Sequence, residues 1–528
     1  MNLKQAGSGA QVDESMAALV TNANAVRAIT AAVEGTIGPK GLDTMLVDRF
    51  GEVIITNDGV TILDKMEVNH PAARMLINIA KSQQAEVGDG TTTATIMAGG
   101  LVAEGVNQVL RGVPVAKVIE GLKYGVSQAL AQVKQMARVL DDINDPVLQS
   151  VARIAGREHE DIAELVVEAA RLIGIEKLSE KNFKLSDIIT AQEGAGNEVF
   201  MGVVIDKERM SREMPEQVSG AKVLMIDDAL EPEEIGDEAL GTEAGFKRYI
   251  ELQEEFKENV RKIVQMGINV VLVDRGVHEI AEEILIDGNA LVIQRMNAKD
   301  LRRVAEHVGA RMIKRTGLRK TAEELFKYVG QADTVYQDEK LEQVRVLGGK
   351  GRPMATILVG AATEEVVGER ERIAKDAASS VQAAAKGGYV PGGGSTEIAL
   401  ARRVEKTRDN LKGMSAYGVD CVVHALKRPL ARIVENAGYN PLEKVEEVIS
   451  AQTGQNADSL GIDCDTGGIA DMAAIGVLDP ALVKYNAIKA AGEVATAILR
   501  IDTIIRKKEE SDQAVKSAGT NEPGLPEF

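Results

Sequence analysis

Four short glycine-containing segments lie at opposite ends of this 528-residue chain, and they constrain its fold more than any other feature. Gly, Pro, Asn, Asp and Thr dominate them, and most of these residue types form tight polar loops. The segments are residues 38–43, 57–59, 88–93 and 392–394. If the two ends of the chain fold together, the four loops can surround one nucleotide. The long middle is then free to move when that nucleotide is bound or hydrolysed.

The composition narrows the class of protein. A net charge of −18 disfavours nucleic acid or an anionic membrane as a partner, because phosphate groups need a basic protein face. Aromatic residues make up only 3% of the chain, so its cores must be aliphatic. Cys421 and Cys464 are too few for a disulfide framework or a zinc site. Because no signal-peptide pattern and no membrane-spanning apolar stretch occur, we expect a cytoplasmic protein.

The order of periodic segments predicts a multi-domain protein with α-rich ends and an α/β middle. Near the N-terminus we expect one hairpin over 44–56 and helices over 15–35, 71–86, 91–111 and 115–140. After helices at 146–155 and 160–173, short β-branched runs alternate with helices, as in α/β domains. The expected strands are 199–205, 221–226, 269–273 and 290–293, and the expected helices are 243–266 and 276–286.

The C-terminal part becomes helical again after a strand at 355–359 and a helix at 363–386. The remaining helices are expected at 395–408, 414–437, 440–451 and 485–507. The polar tail, 511–528, has the composition of a disordered segment. Both ends of the chain are therefore predicted to be mainly helical, which favours a single domain built from the two ends.

Residues 227–266 form an excursion that the core of an α/β domain does not need. An acidic, glycine-containing stretch is followed by a long charged helix with Phe246, Ile250 and Phe256 at roughly helical spacing. We interpret the excursion as a protrusion from the body of the protein. An ordinary surface helix explains the same pattern equally well.

Residues 88–93 have the composition of a phosphate-binding loop. They precede a helix expected to begin near Thr92, and backbone N–H groups at a helix start attract anions. Asp89 is the only charged residue of this loop, and a carboxylate beside phosphates is suited to hold Mg²⁺. The loop is not a Walker A motif, because no Gly-Lys-Ser/Thr follows. A simple turn remains the alternative.

Asp58 and Asp376 are candidate carboxylates for positioning or activating a water molecule that attacks a γ-phosphate. Asn57-Asp58-Gly59 is also a strong turn signal, and an acidic residue on a helix, such as Asp376, is usually solvated. The five histidines show no metal-ligand spacing, and neither an HExxH motif nor a nucleophile elbow occurs. These absences disfavour metal-hydrolase and serine-hydrolase functions.

Taken together, these segments resemble the chaperonin family over essentially the whole chain, roughly residues 15–508. Each matching stretch is weak alone, but their order and spacing are very specific. The matching stretches are residues 38–41, 57–61, 88–93, 375–377 and 391–394.

Details of the match are typical of the thermosome-like, or group II, branch. Residues 57–59, 70–73 and 204–207 are similar to that branch, and 227–266 lies where it has a helical protrusion that forms a built-in lid. Residues 477–480 look more like the group I branch. This mixture resembles the thermosome-like chaperonins of some bacteria, sometimes called group III, and leaves the host archaeal or bacterial.

The resemblance implies an ATP-driven protein-folding machine, a homo-oligomer of two stacked rings that binds non-native polypeptide. A separate co-chaperonin lid is not expected. A split equatorial domain, 1–140 and 389–528, would bind ATP and form most ring contacts. An apical domain, 199–352, would bind the client, and two intermediate segments, 141–198 and 353–388, would form the hinge.

Carried over position by position, the resemblance implies ATP and Mg²⁺ as cofactors, with K⁺ as a further candidate. Asp89 would bind Mg²⁺, and Asp58 and Asp376 would position or activate the attacking water. Because Asp376 lies on the hinge, hydrolysis would be coupled to closure. The other implied nucleotide-binding residues are Thr36, Ile37, Gly38, Pro39, Asn57, Gly88 and Gly90, with Thr91, Thr92 and Thr93 at the phosphates and Gly393 and Asp479 at the ribose and base side.

Two alternative functions remain at this stage. A small-molecule kinase or another soluble ATPase could use the same loops and would act as a monomer or dimer. A scaffold that kept the fold and lost hydrolysis is the second alternative. The presence of both Asp58 and Asp376 argues against the scaffold.

Overall fold

The computed structural model describes residues 4–5, 11–12, 15–47, 49–51, 53–236 and 241–504. The chain divides into two compact units. The first unit is formed by Met1–Leu140 together with Gly387–Phe528, and the second unit by Asp141–Lys386. None of the described helices is long and apolar enough to cross a membrane.

The N-terminal part of the first unit is mostly helical. Two short strands, β1 (Lys4–Gln5) and β2 (Gln11–Val12), pair with each other ahead of the first helix. The elements that follow are α1 (Ser15–Val33), the hairpin of β3 (Thr44–Val47) and β4 (Val53–Thr56), α2 (Gly59–Lys65), α3 (Pro71–Val87), α4 (Thr91–Leu110) and α5 (Val115–Met136).

The second unit combines helices with a mixed sheet. Its helices are α6 (Val147–Ala155), α7 (Glu160–Ile173), α8 (Ile175–Ser179), α9 (Glu243–Gln265), α10 (Glu279–Asp287), α11 (Ala298–Val308), α12 (Ala322–Phe326) and α13 (Glu364–Gly387). Its strands are β5 (Ile189–Glu193), β6 (Glu198–Ile205), β7 (Gln217–Ile226), β8 (Val270–Val273), β9 (Leu291–Ile293), β10 (Gly330–Asp338), β11 (Gln343–Leu347) and β12 (Ala355–Ala361).

The C-terminal part returns to the first unit. It consists of β13 (Tyr389–Pro391), α14 (Ser395–Glu405), α15 (Ala416–Asn436), α16 (Pro441–Gln455), β14 (Leu460–Ile462), β15 (Ile469–Asp471), β16 (Leu478–Pro480) and α17 (Ala481–Leu499). Strand β13 pairs with β16, and β14 pairs with β15.

Helix α4 lies at the centre of the first unit and contacts helices from both ends of the chain. Three of its glycines make this possible, because side chains there would collide with α1, α15 and α17. A Cβ atom at Gly99 would lie 2.2 Å from Thr30 Oγ1, and one at Gly105 would lie 2.5 Å from Leu499 Cδ1. The helices therefore approach closely, and their buried core side chains are aliphatic apart from Cys421.

The sheet of the second unit has the strand order β5-β12-β6-β11-β10-β7-β8-β9. Strands β7, β8 and β9 are parallel, and α9 and α10 connect them, as expected for an α/β region. Helix α11 packs on one face of the sheet through Leu301 and Val304, and α9 packs on the other through Val260 and Ile263. The prediction of a multi-domain α and α/β protein is therefore confirmed.

Strand β6 takes part in two pairings, divided near Gly202. Residues 198–201 pair with β12, and residues 202–205 pair with β11. The sheet thus runs without a break past both predicted ends of the apical segment, 199–352. The finer division of the second unit into apical and hinge segments stays a prediction.

Some predicted boundaries differ from those of the structure. The helix expected over 115–140 ends at Met136, because Arg138 pairs with Tyr389 in an isolated bridge instead of continuing the helix. The helix expected over 485–507 begins at Ala481 and ends at Leu499. Residues 505–507, the predicted disordered tail and part of the excursion (237–240) lie outside the described residues.

Candidate functional site

The first glycine loop is a tight turn held by α15. The N–H of Gly41 donates to Gly38 O at 3.1 Å, and Gly38 has a φ of +89°, which favours glycine. Asn436 at the end of α15 donates to Glu34 O at 3.0 Å and to Ile37 O at 2.9 Å. The loop containing the predicted residues Thr36, Ile37, Gly38 and Pro39 is therefore fastened to the C-terminal part of the chain.

The second and third loops touch each other. Asp58 is the N-cap of α2, because its Oδ2 accepts hydrogen bonds from Thr61 N at 3.0 Å and Thr61 Oγ1 at 2.6 Å. A Cβ atom at Gly59 would lie 2.5 Å from Thr92 Oγ1, so only glycine permits this approach. Asn57 and Asp58 thus lie beside the first turn of α4.

The third loop joins α3 to α4 through two glycines in the left-handed region. Gly88 ends α3 with a φ of +72°, and Gly90 precedes α4 with a φ of +75°. Between them, Asp89 Oδ1 accepts a hydrogen bond from Gly90 N at 2.5 Å. Thr91, Thr92 and Thr93 form the first turn of α4, and no side chain caps that end. Their backbone N–H groups and hydroxyls are suited to bind phosphate oxygens.

Gln83 is a site residue that sequence reasoning missed. It is buried on α3, and its Nε2 donates to Asp89 O at 2.8 Å and to Val483 O of α17 at 3.2 Å. Gly90 also packs against Val483, since a Cβ atom at Gly90 would lie 2.5 Å from Val483 Cγ1. One signal was present: Gln83 continues the apolar stripe of Leu76 and Ala80 at helical spacing.

The fourth loop lies between β13 and α14 and contacts both β16 and α15. A Cβ atom at Gly392 would lie 3.0 Å from the Asp479 carboxyl carbon, and one at Gly394 would lie 2.9 Å from Leu430 Cβ. Helix α15 also touches the first loop, because a Cβ at Gly38 would lie 3.1 Å from Ile433 Cγ2. Gly393, with a φ of +61°, is at the centre of this turn.

These contacts form a continuous series within the first unit. Loop 57–59 touches 88–93, loop 88–93 touches the start of α17, Asp479 just before α17 touches loop 392–394, and α15 holds both 392–394 and 38–43. The two ends of the chain therefore bring the four predicted loops to one region.

Asp376, the remaining predicted catalytic residue, belongs to the second unit. It lies on α13, and its Oδ2 is 3.8 Å from Arg372 Nη1 of the preceding turn. Its carboxylate is largely buried, so it is not the solvated surface residue that the simplest interpretation supposed. Its role at a nucleotide stays a prediction.

The described residues contain no group of three or more His, Cys, Asp or Glu side chains arranged to hold a metal ion. A metal at loop 88–93 would thus need ligands beyond the protein. Asp89 beside three threonine hydroxyls fits Mg²⁺, which is commonly held by one or two carboxylates together with substrate phosphates.

Comparisons with known proteins agree with this architecture. Residues 29–509 match the TCP-1/cpn60 chaperonin family. The chain is 34% identical over 522 residues to a thermosome subunit of Pyrococcus horikoshii, covering 95% of this chain and 94% of that one. It is 36% identical over 527 residues to thermosome subunit beta of Archaeoglobus fulgidus, covering 96% and 94%.

A solved structure extends the comparison to the fold. It is described as the crystal structure of a group III chaperonin in the open state, and it shares 47% identity and a TM-score of 0.87 with this chain. The alignment covers 93% of this chain and 99% of that one. The predicted similarity to thermosome-like and group III chaperonins is confirmed.

The chain belongs to the TCP-1/cpn60 chaperonin family. Its function is the ATP-dependent folding of proteins, and it is an ATPase. Chaperonins of this family form ring oligomers and bind unfolded clients. The small-molecule kinase and the inactive scaffold considered above are therefore not supported.

Proposed function

We propose that this subunit binds MgATP in the four loops of its first unit and couples hydrolysis to closure of a double-ring homo-oligomer over a non-native polypeptide. The continuous series of contacts among the loops supports this proposal, because it joins residues from both ends of the chain in one region. The proposed pocket comprises Thr36, Ile37, Gly38, Pro39, Asn57, Gly88, Asp89, Gly90, Thr91, Thr92, Thr93, Gly393 and Asp479.

Within this pocket, the first turn of α4 binds the phosphates and Asp89 holds Mg²⁺. The metal neutralises phosphate charge when it is bound. Glycines at positions 88 and 90 permit the left-handed backbone of this loop, which brings the chain into the first turn of α4. Asp58 and Asp376 position or activate the attacking water, and one of the two carboxylates accepts its proton. Asp376 belongs to the second unit, so the proposed hydrolysis depends on residues of both units.

An exposed apolar hairpin supports assembly of identical subunits. Met45, Val47, Val53 and Ile55 project from β3 and β4 into solvent, and Phe50 at the turn is 81% exposed. In the described part of the chain these two strands pair only with each other, which leaves both edges available. An isolated two-stranded hairpin is marginally stable, and added strands would stabilise it. A second copy of this chain is the occupant we propose.

Helix α9 supports a lid built into the subunit. Its C-terminal half packs on the sheet through Phe256, Val260 and Ile263, whereas Phe246 and Ile250 of its first half are exposed. One ion pair fastens the C-terminal half to the body: Arg319 contacts Glu255 of the helix at 2.6 Å, and the same arginine contacts Glu233 at 3.0 Å. The first half of α9 is thus exposed to solvent, whereas the second half is anchored on the sheet. We propose that the exposed half forms the lid, so that no separate co-chaperonin is needed.

We also propose a cytoplasmic location. Both cysteines are free thiols, which suits a reducing compartment. Burial raises the pKa of the Cys421 thiol to about 12, so this residue is an inert part of the core.

Two measurements together test the proposal. One is the refolding of a denatured client with and without ATP, and the other is end-on imaging of the particles. Rings with ATP-dependent refolding are expected, and Asp89→Ala should keep the rings and lose the refolding. A particle near the 56.4 kDa mass of one subunit, or refolding that ignores ATP, would contradict it.

A further inference from the structure

Residues 348–352, Gly-Gly-Lys-Gly-Arg, form a loop after β11 that folds back on the C-terminal end of α11. The N–H of Gly351 donates to His307 O at 2.8 Å, and the N–H of Arg352 donates to Glu306 O at 2.8 Å. These two carbonyls belong to the last turn of α11, where carbonyl groups lack a partner within the helix. Loop 348–352 therefore caps the end of α11.

The side chain of His307 adds a third link between α11 and this loop. Its Nε2 accepts a hydrogen bond from Gly349 N at 3.2 Å, and its Nδ1 lies 3.4 Å from Arg352 O. A ring nitrogen that accepts from an N–H carries no proton, so these partners assign the neutral ring with its proton on Nδ1. Both ring nitrogens are thus satisfied by the loop in one neutral tautomer.

Close packing holds the ring beneath the loop. His307 is 2% exposed, and a Cβ atom at Gly349 would lie 2.7 Å from its Cδ2. A Cβ atom at Gly351 would lie 2.2 Å from Glu306 O, so the loop needs both glycines to approach the helix this closely. Lys350 and Gly351 are exposed, so the loop separates the ring from solvent.

The same connection lies where β6 changes its pairing partner. The N–H of Gly202 donates to Met354 O at 2.8 Å, and Gly202 is the residue at which β6 passes from β12 to β11. The two parts of the sheet are joined here by β6 and by the chain that runs from β11 to β12. The hydrogen bonds that fasten loop 348–352 to α11 therefore also restrain this junction of the sheet.

The surroundings of the ring disfavour a positive charge. Burial lowers the pKa of His307 below its ordinary value, although the carbonyl groups of Arg352 and Val346 favour the protonated ring. The dipole of α11 also favours a positive charge at this end, but the loop already occupies two of the terminal carbonyls. Among the described residues, no carboxylate forms an ion pair with the ring.

The charged side chains on the surrounding elements are engaged with one another. On α11, the loop and β10 the pairs are Arg352 with Glu306 at 3.4 Å, Lys350 with Asp333 at 2.6 Å and Arg303 with Asp300 at 3.8 Å. The neighbouring strands present apolar residues to α11. Their charged side chains lie on the opposite face of the sheet, because side chains alternate along a strand. These are Glu198, Lys222, Asp338 and Arg345.

We propose that His307 is a proton-sensitive latch, in which protonation of Nε2 breaks the hydrogen bond with Gly349 and frees loop 348–352 from α11. The protonated ring turns an N–H toward the N–H of Gly349, so two donors face each other. Because the pKa of His307 is lower in the folded protein than in an unfolded chain, the latch contributes its full stability above about pH 6.5 and loses it as the pH falls below that value.

Hydrogen exchange of the assembled full-length protein, followed by mass spectrometry at about pH 7.5 and 5.5, tests the latch. Protection factors, corrected for the intrinsic pH dependence of exchange, should fall by roughly tenfold or more at 349–352 in the wild-type protein at the lower pH. His307→Gln supplies an uncharged acceptor at both pH values and should keep the protection. His159→Gln, at an exposed position of the same unit, should behave as the wild type does.

Residues 288–290 provide an internal control in the same unit. Their N–H groups cap α10 in a similar way, with Gly288 N donating to Ile284 O at 3.0 Å and Ala290 N donating to Leu285 O at 2.9 Å. Their protection should not change between the two pH values. An equal loss at 288–290 and 349–352 would indicate general loosening and overturn the inference, and this comparison needs no variant to fold. Unchanged protection of 349–352 in the wild type, or the wild-type loss in His307→Gln, would also overturn it.

Discussion

Gln83 links the phosphate-side loop to the C-terminal helix through its side-chain amide. Its amide reaches two backbone carbonyls, Asp89 O and Val483 O, that lie far apart in sequence. The hydrogen bond to Val483 O is buried and the one to Asp89 O is partly buried, and Gln83 itself is 1% exposed. Losing this buried amide removes two hydrogen bonds at once, which costs more than losing exposed hydrogen bonds.

Gln83→Met should lower the free energy of unfolding by about 1–3 kcal/mol and weaken ADP binding, because the hydrogen bonds from the Gln83 amide to Asp89 O and Val483 O are lost. Thermal unfolding and titration with ADP measure the two effects. Gln84→Met, at the neighbouring and less buried position, is the control and should change neither. Wild-type stability and affinity in Gln83→Met would show that the junction does not need this amide.

At the scale of secondary-structure elements, α2 illustrates how one residue can have two roles. Asp58 caps the helix through Thr61, and we propose that it also acts on the attacking water. Capping needs only an acceptor, which Asn supplies as well as Asp. Catalysis as a base needs the carboxylate. The two roles can therefore be separated by substitution.

Asp58→Asn should leave stability unchanged and slow ATP turnover by roughly 10²-fold. Asp58→Ala should show the same slow turnover and also lose about 1 kcal/mol of stability, because the cap is gone. Steady-state ATPase rates and thermal unfolding distinguish the variants. If Asp58→Asn hydrolyses ATP at the wild-type rate, Asp58 is only a cap.

The exposed half of α9 permits a direct test of the lid. Replacing Phe246, Tyr249 and Ile250 by Ser removes its apolar surface and leaves the buried anchors Phe256 and Val260 in place. The triple variant should keep its rings and its ATPase activity but should no longer protect a captured client from protease. Ser at the exposed polar positions Lys247, Arg248 and Glu251 is the control. Unchanged protection in the triple variant would refute the lid.

The elements with strong local signals were predictable from sequence. The long helices have apolar stripes, and the hairpin at 44–56 has two β-branched runs around a turn. Strands β10 and β11 were missed. In β10 the buried positions change phase between Ala332 and Val335 and include Gly330 and Gln337, so no regular apolar alternation marks the strand. Apart from each other, the partners of β10 and β11 in the sheet are distant in sequence, so local sequence patterns do not reveal which strands pair.

At the scale of the whole molecule, the resemblance predicted which loops meet, but not the contacts that join them. Gly59 reads as a turn residue, yet the structure adds a second reason for glycine, the close approach to Thr92. Likewise, Asp479 was predicted as a ribose-side residue, but its ion pair with Lys484 was not predicted. Both facts depend on packing between residues distant in sequence, which no single segment encodes.

Asp376→Ala should retain ADP binding and reduce ATP turnover by roughly 10²-fold or more, because the variant lacks the base that we place in the second unit. Glu371→Gln, on the same helix and paired with Lys375 at 2.6 Å, is the control and should hydrolyse ATP normally. Single-turnover hydrolysis and ADP titration provide the measurements. Wild-type turnover in Asp376→Ala would remove this residue from the mechanism.

The most direct measurement is a density map of closed particles prepared with Mg²⁺, ADP and aluminium fluoride. We expect the phosphate groups at the first turn of α4, the metal at Asp89, and the Asp58 and Asp376 carboxylates within about 3 Å of the attacking water. A nucleotide bound away from the four loops, or Asp376 distant from the fluoride in every closed particle, would contradict the account.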